Sequence, residues 1–273
     1  MNNIFSIKRF GLLMKKDISE DWKKYILQAL VLFSALLIPF LIQSFGVYDG
    51  SRELTTDRYA RLNKDLLGIG VFVFAVAFPI FLAQMMDVIK SKQSRIHYLT
   101  FPCSALEKFA SRYIIHTIGF VLTFFIALYL ADFIRVFIYS MPAENVDVHY
   151  ISLSKLYRDN SWEHLFRSKD ITISLSSIYL LILSFYILGS TFWQKKSFIK
   201  TTVFMVLATS AFVTISYLIA TAVIDKSKYI YIPLLEESPN LSYYVAGGFV
   251  FIALLLNILA YFRFKEAELI EKW

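Results

Sequence analysis

Residues 66–89 read LLGIGVFVFAVAFPIFLAQMMDVI. Only one charged side chain, Asp87, interrupts this apolar stretch, and it lies close to the end. A helix of about 20 apolar residues crosses the roughly 30 Å hydrocarbon layer of a bilayer. The stretch is therefore long and apolar enough to predict a membrane-spanning helix.

Five further stretches share these properties. Hydrophobic residues make up 57% and charged residues 18% of the 273 residues, whereas soluble domains average about 45–50% and 25%. Too little polar surface remains for a soluble domain, and a single cysteine, Cys103, excludes a disulfide-linked scaffold. We expect an all-α integral membrane protein with one polytopic domain over residues 1–273. Its six predicted spans lie near residues 25–45, 66–89, 109–131, 171–193, 199–224 and 242–262.

The distribution of basic residues predicts the orientation. Of the 28 Lys and Arg residues, 17 fall on the side that carries both termini and 11 on the other. The positive-inside rule then predicts cytoplasmic N- and C-termini in the cell (inner) membrane. The excess of basic residues on the predicted inner side accounts for the net charge of +7. No motif for binding nucleic acid accompanies these basic residues. On the outer side we expect an extracytoplasmic loop over residues 140–170 and a re-entrant or interfacial segment over residues 225–241.

Residues 1–24 form a basic amphipathic arm. At about 100° per residue, apolar side chains such as Ile4, Ile7 and Phe10 share one half of a helix, and most basic side chains share the other. Such a helix lies in the membrane interface with its basic side near anionic lipid headgroups. The arm is therefore predicted to contact membrane lipids at the cytoplasmic face.

No motif in the sequence supports catalysis by this chain. The nine glycines form no G-x-x-x-x-G-K-[ST] phosphate-binding loop, and the four histidines are scattered without an H-E-x-x-H pair. A G-x-S-x-G elbow is also absent. We therefore expect no enzyme activity, no cofactor and no metal site here. An intramembrane enzyme with unfamiliar spacing is the one catalytic alternative left open.

Ionisable side chains are scarce at membrane depth, where an isolated charge is costly. Asp132 and Arg135 lie at the outer end of the third span with i,i+3 spacing, which favours an interfacial ion pair on one helix face over the alternative of a substrate or proton site. Asp87 lies near the inner end of the second span. Because the middle of the bundle holds no acid or base, the pattern argues against a proton-coupled carrier.

Two other kinds of residue distinguish individual spans. Pro39 in the first span and Pro79 in the second each remove a backbone hydrogen bond, which predicts a bend that is either a static kink or a hinge. The fifth span is rich in Thr and Ser. Small hydroxyl residues favour close helix contacts in lipid, so this span is predicted to be buried or to form a seam with another protein.

The second cytoplasmic loop, residues 90–108, is the most informative segment for function. Ser104 followed by Glu107 predicts a capping box at the start of a short helix, directly after Pro102. A short capped helix between two spans suits the docking of a soluble partner, although an ordinary interhelical loop would carry the same pattern. The predicted docking residues are Tyr98, Leu99, Pro102, Ser104, Glu107 and Lys108.

The order of these elements resembles the permease subunit of a type-2 ATP-binding-cassette transporter, the exporter class. That family has an amphipathic elbow helix, six spans with cytoplasmic termini, and a coupling helix between spans two and three. Its loop commonly places P-x-S after leucines and a basic residue eight positions after the serine. Leu99, Pro102, Ser104 and Arg112 fit this spacing.

The resemblance implies partners for the chain. A separate P-loop ATPase subunit would dock on the loop and supply the ATP hydrolysis, and a second permease copy or homologue would complete a dimeric export path. The alternative hypothesis is a non-transporting membrane scaffold or assembly subunit that uses the same loop and the Ser/Thr-rich span for docking. The sequence itself does not distinguish a lipid, peptide or drug substrate.

Overall fold

The computed structural model describes residues 5–48, 56–89, 91–141, 148–152, 169–193, 195–223 and 241–270. Apart from residues 148–152 and the short connections, these ranges are helical, and none of them contains a strand. A 3₁₀ turn at Asp87–Ile89 precedes α4, and a π-helical turn at Ile115–Gly119 joins α5 to α6. The helices are α1 Ile7–Glu20, α2 Trp22–Tyr48, α3 Thr56–Ala83, α4 Lys92–Thr100, α5 Ala105–Ile114, α6 Phe120–Ser140, α7 Lys169–Phe192, α8 Ser197–Val223 and α9 Leu241–Ile270.

Within the described ranges, six helical segments are long and apolar enough to cross a membrane. They are Trp22–Tyr48, Arg58–Ile89, Ala105–Ser140, Thr172–Phe192, Ser197–Leu218 and Tyr243–Ala267. The predicted all-α class with six such helices is therefore confirmed, and the chain has the character of a multi-pass membrane protein. The predicted re-entrant segment, apart from Leu241, and most of the loop over residues 140–170 lie outside the described residues.

Some helix ends differ from the predicted spans. The helix of the second span already begins at Thr56, ten residues before the predicted start of that span at residue 66. Charged side chains such as Arg61 are exposed there, so helix formation pairs the backbone groups without burying the charges. α6 continues to Ser140, as the length of its apolar run predicts.

One compact unit consists of Met1–Phe81 and Pro102–Arg167. Its interior contains a cluster of phenylalanines from α3 and α6: Phe78 stacks on Phe120 at 4.7 Å, and Phe74 meets Phe124 edge-on at 4.9 Å. Lipid tails are as apolar as these side chains, so such helices associate through close van der Waals packing rather than through the hydrophobic effect. This unit holds the amphipathic arm, the capped helix α5 and the Asp132–Arg135 pair.

The second compact unit consists of Leu82–Phe101 and Ser168–Trp273. α7 and α9 pack closely along most of their length. Ala246, Ala253 and Ala260, spaced seven apart, are buried along one face of α9. The Asn257 side chain donates to Ser184 Oγ of α7 at 2.9 Å. The buried alanines of α9 and the hydrogen bond between Asn257 and Ser184 therefore hold α7 and α9 together, as is usual for helices in lipid.

α7 and α8 form a tight hairpin whose close contact requires a glycine. Thr201 of α8 is buried directly against Gly189 of α7, so a methyl group at residue 189 would clash with Thr201 Oγ1. Beside this contact, the Tyr186 and Thr202 hydroxyls are hydrogen-bonded at 2.9 Å and Tyr186 stacks on Phe198. The turn before α8 contains Lys196 in a left-handed conformation, with φ of 54°.

Gly189→Ala should lower the free energy of unfolding by about 1–3 kcal/mol, because the added methyl group forces the two helices apart. Gly247→Ala is the matched control: nothing lies within 4 Å of a Cβ placed at Gly247. That change should stabilise α9 by about 0.5–1 kcal/mol. Chemical denaturation of both variants in detergent gives the comparison. Equal stabilities would show that the α7–α8 hairpin is not closely packed.

Of the two alternatives predicted for the Ser/Thr-rich span, burial within this chain is wrong, and a seam with another protein stays a prediction. Beyond its first turn, the side chains of α8 that the structure describes are largely exposed, among them Thr209, Ser210 and Thr214. Their hydroxyls bond to carbonyls of their own helix, as in Thr214 Oγ1 to Ser210 O at 2.8 Å. Intrahelical bonding removes the need for a polar neighbour, which is why hydroxyl content alone misled the prediction.

Candidate functional site

The capping box that the sequence predicts is present at the start of α5. Ser104 Oγ accepts from the Glu107 backbone N–H at 3.2 Å, and Glu107 Oε2 accepts from the Ser104 N–H at 2.9 Å. α5 then runs through the π-helical turn into α6 as one helical segment, Ala105–Ser140. The capped helix is thus a continuous helical extension of the third span.

Glu107 also joins α5 to the amphipathic arm. Its second oxygen, Oε1, accepts from the Ser6 backbone N–H at 2.6 Å and from Arg9 Nη2 at 3.1 Å. Ser6 is the N-cap of α1, and its own side chain makes no capping hydrogen bond. The Glu107 carboxylate is fully buried, with 0% exposure, and lies at the positive end of the α1 dipole. One side chain therefore anchors the starts of two helices.

A second polar cluster joins the other end of α1 to the same helix. Arg112 donates to Asp21 Oδ2 at 2.7 Å and to Asp17 Oδ1 at 3.3 Å, and the Ser111 hydroxyl donates to Asp17 Oδ2 at 2.7 Å. Arg112 is 2% exposed. The two clusters together, hereafter the α1–α5 clasp (Arg9, Asp17, Asp21, Glu107, Ser111 and Arg112), bind the arm along α5.

Burial affects the titration of the clasp and its surroundings. Burial raises the pKa of Asp17, and the Arg112 charge together with the Ser111 hydrogen bond opposes this rise. The Arg112 guanidinium therefore stabilises the ionised form of the Asp17 carboxylate. Burial and the nearby Glu107 carboxylate also raise the pKa of the Cys103 thiol, so this cysteine is a protonated thiol at neutral pH.

The structure places the predicted docking residues in different environments. Pro102 is exposed, and Ser104 and Leu99 are partly exposed. In contrast, Tyr98, Glu107 and Lys108 are buried within the chain. Leu106, which the sequence analysis did not select, is 38% exposed on α5. The surface open to a partner is therefore Leu106 and the preceding Pro102, because the clasp occupies the face that carries Glu107.

The first part of the predicted loop forms a helix of its own, α4, in the second compact unit. Ser91 caps it by accepting from the Ser94 N–H at 3.1 Å. Tyr98 lies on its buried side, whereas Lys92, Ile96 and His97 are exposed. The exposed face of α4 thus combines a basic residue, an aliphatic residue and a histidine.

The predicted ion pair between Asp132 and Arg135 is present at the other end of α6. Arg135 Nη2 lies 2.7 Å from Asp132 Oδ1, and both side chains are buried. The pair also holds residues 149–151, because Asp132 Oδ2 accepts from the Ile151 N–H at 2.8 Å and Arg135 donates to the His149 carbonyl at 2.8 Å. The returning chain therefore covers the pair, and its position at the membrane interface stays a prediction.

The remaining singled-out residues lie in unbroken structure. Pro39 and Pro79 are inside the continuous helices α2 and α3. His116 is buried, and its Nδ1 lies 2.9 Å from the Arg112 carbonyl. Among the described residues, no group of three or more His, Cys, Asp or Glu side chains is arranged to hold a metal ion.

The α1–α5 clasp is the feature that the sequence analysis missed. Asp17, Ser111 and Arg112 had been assigned no contact with one another, and Arg9 had been counted only as a basic residue. One pattern was available: Asp17 and Asp21, at i,i+4 spacing, lie on one face of a predominantly basic arm. Two acids on one face suggest a basic partner, but the identity of that partner, 95 residues away, is not a local property.

The fold and these sites define a class of protein: an all-helical chain with six membrane-length helices and an amphipathic arm fixed to its third long helical segment. No protein-family model, curated protein or solved structure matches the chain.

Proposed function

We propose that this chain is the membrane-spanning permease subunit of an ATP-driven transporter of the export type, and that it works with a separate ATPase. In this proposal both termini are cytoplasmic and the chain lies in the cell membrane. The second cytoplasmic loop receives the ATPase, and a second permease copy or homologue completes the pathway. The chain supplies the path and the docking surface, and the ATPase supplies the phosphate chemistry.

The observation that carries the proposal is the construction of α5. Leu106 in its first turn and Pro102 just before the helix are exposed, its opposite face is fixed by the clasp, and its end continues into α6. A displacement of the first turn would therefore move the long helix rather than bend a flexible loop. Such a lever is what a transporter needs to transmit nucleotide-driven motion into its membrane helices.

The first test is affinity purification of the tagged protein in mild detergent, with mass spectrometry of co-eluting proteins. The proposal expects a P-loop ATPase at near-stoichiometric yield. Leu106→Asp should then reduce ATPase recovery at least about tenfold, because a charge in a central apolar contact commonly costs about 2 kcal/mol or more. Lys265→Asp is the matched control, since it adds the same side chain at an exposed position of α9.

The result can also contradict the proposal. Recovery of the chain with no ATPase, or an unchanged ATPase yield with Leu106→Asp, would remove the docking assignment. Glu107 is unsuitable for this test, because its substitution would disturb the α1–α5 clasp as well as any docking surface. Deuterium exchange over residues 7–20 would show that Leu106→Asp has left the clasp intact.

A second candidate function is a non-transporting scaffold or assembly subunit. The burial of Tyr98, Glu107 and Lys108 favours it, because half of the predicted docking residues are committed to contacts within the chain. The largely exposed α8 would then be a surface for other membrane subunits. The same purification separates the two functions, since a scaffold would co-elute with membrane proteins and without an ATPase.

A further inference from the structure

A polar cavity of about 250 Å³ lies in the first compact unit, at the end of α6 remote from the α1–α5 clasp. Its walls come from the end of α2, the start of α3, the end of α6 and residues 149–152. The volume is well above what one water molecule requires and slightly below the usual range for drug-sized ligands. The side chains that matter below are Tyr48, Tyr59, Asn63, Arg135, His149 and Ser152.

Arg135 is the cavity's charged group, and its hydrogen bonds are incomplete. The side chain is 1% exposed. Nε donates to Asp132 and Nη2 donates to the His149 carbonyl, but Nη1 has no hydrogen-bond partner among the described residues. Buried polar groups in folded proteins are nearly always paired, so an unpaired guanidinium nitrogen at a cavity wall indicates a missing acceptor.

The Asp132 carboxylate balances the charge of Arg135 but does not supply an acceptor for Nη1. Asp132 is its ion-pair partner, but that carboxylate accepts from the Ile151 backbone N–H as well as from the guanidinium. Planar guanidinium groups bind carboxylate and phosphate oxygens with short charge-assisted hydrogen bonds. The acceptor that best fits Nη1 is therefore an anionic oxygen.

The other wall of the cavity is aromatic. Tyr48 lies 6.3 Å from Tyr59, and Tyr59 lies 5.8 Å from His149, measured between ring centroids. Tyr139 stacks on Tyr48, with their ring centroids 5.2 Å apart. Rings held in this way present a preformed surface to a flat or apolar group. Across the cavity, Asn63 accepts from the Ser152 backbone N–H at 3.0 Å and fixes the position of that segment.

We propose that this cavity binds an oxyanion, a carboxylate or phosphate group, with one oxygen on Arg135 Nη1 and the rest of the molecule along the Tyr48–Tyr59 wall. The group comes either from a small soluble molecule or from a lipid headgroup. The site does not depend on an ATPase, so its failure would leave the proposed function untouched. In the proposed orientation it opens to the extracytoplasmic side.

The binding test uses the whole protein in nanodiscs of phosphatidylcholine, with 4-fluorobenzoate as the probe and ¹⁹F line broadening as the readout. We expect saturable broadening that inorganic phosphate reverses. Repeating the titration in discs that contain phosphatidylglycerol identifies the source: loss of benzoate binding assigns the site to a lipid headgroup, and unchanged binding assigns it to a soluble molecule. The absence of both benzoate binding and a phosphatidylglycerol-dependent thermal shift would overturn the proposal.

Two variants locate the binding. Ser152→Phe fills the cavity without touching the ion pair, and Arg135→Lys keeps the charge beside Asp132 but removes the guanidinium fork. Each should weaken benzoate binding at least tenfold. Ser140→Phe is the matched control, because Ser140 is exposed at the end of α6 and does not line the cavity. Unchanged binding by Ser152→Phe would overturn the assignment even if Arg135→Lys failed to fold.

Discussion

Arg112→Met should release the amphipathic arm from α5. The substitution keeps the length of an unbranched side chain but leaves Asp17 buried without its basic partner. Removing one member of a buried ion pair costs about 3–5 kcal/mol, because the remaining charge is neither solvated nor paired. We expect rapid deuterium exchange over residues 7–20, together with a lower unfolding temperature in detergent.

The control for this result is Arg61→Met, which removes an exposed arginine from α3 and should leave both measurements nearly unchanged. Adding Asp17→Leu to Arg112→Met should restore much of the lost stability, since an apolar pair of similar volume no longer strands a charge. Protection of residues 7–20 in Arg112→Met equal to that in the unmodified protein would show that the clasp does not hold the arm.

The fold was predictable because membrane helices follow local rules. Each predicted span comes from a long, mostly apolar run, and backbone hydrogen bonds must be satisfied within such a run in lipid. The capping box of Ser104 and Glu107 and the pair of Asp132 and Arg135 were predictable for the same reason, as both join residues three apart. The residue at which α3 begins was harder to predict from the sequence, because a polar helix and a polar loop differ little in composition.

The environment of the docking loop was not predictable in the same way. Glu107 has the properties of a surface residue in the sequence, since it is acidic and lies in the first turn of a capped helix. Its burial arises from Ser6, 101 residues earlier in the chain, whose backbone N–H it accepts. Which face of α5 is free depends on where α1 packs, and residue spacing within the loop contains no information about that packing.

The same physical device secures both ends of the first compact unit. Glu107 at the start of α5 and Asp132 near the end of α6 each accept from a backbone N–H of a distant segment and from an arginine. A carboxylate suits this task because its two oxygens accept several hydrogen bonds at once. The phenylalanine packing between α3 and α6 can vary in register, whereas these charge-assisted bonds specify which chain segments return to which helix end.

Asp132→Ala should detach residues 148–152 from α6. The change leaves Arg135 buried without a carboxylate and removes the acceptor of the Ile151 N–H. We expect a loss of about 3–5 kcal/mol in the free energy of unfolding, of which the stranded arginine accounts for the larger part. Chemical denaturation measures that loss, and deuterium exchange at residues 148–152 shows where it arises.

Two comparisons identify the cause of this loss. Asp65→Ala removes an acid whose hydrogen bond from Gln43 is exposed, so it should cost less than about 1 kcal/mol. The double change of Asp132→Leu with Arg135→Met removes both charges and should recover most of the stability, while residues 148–152 stay detached because the Ile151 N–H still lacks its acceptor. A double variant as unstable as Asp132→Ala would mean that the hydrogen bonds to the returning segment, rather than the buried charge, carry the energy of this cluster.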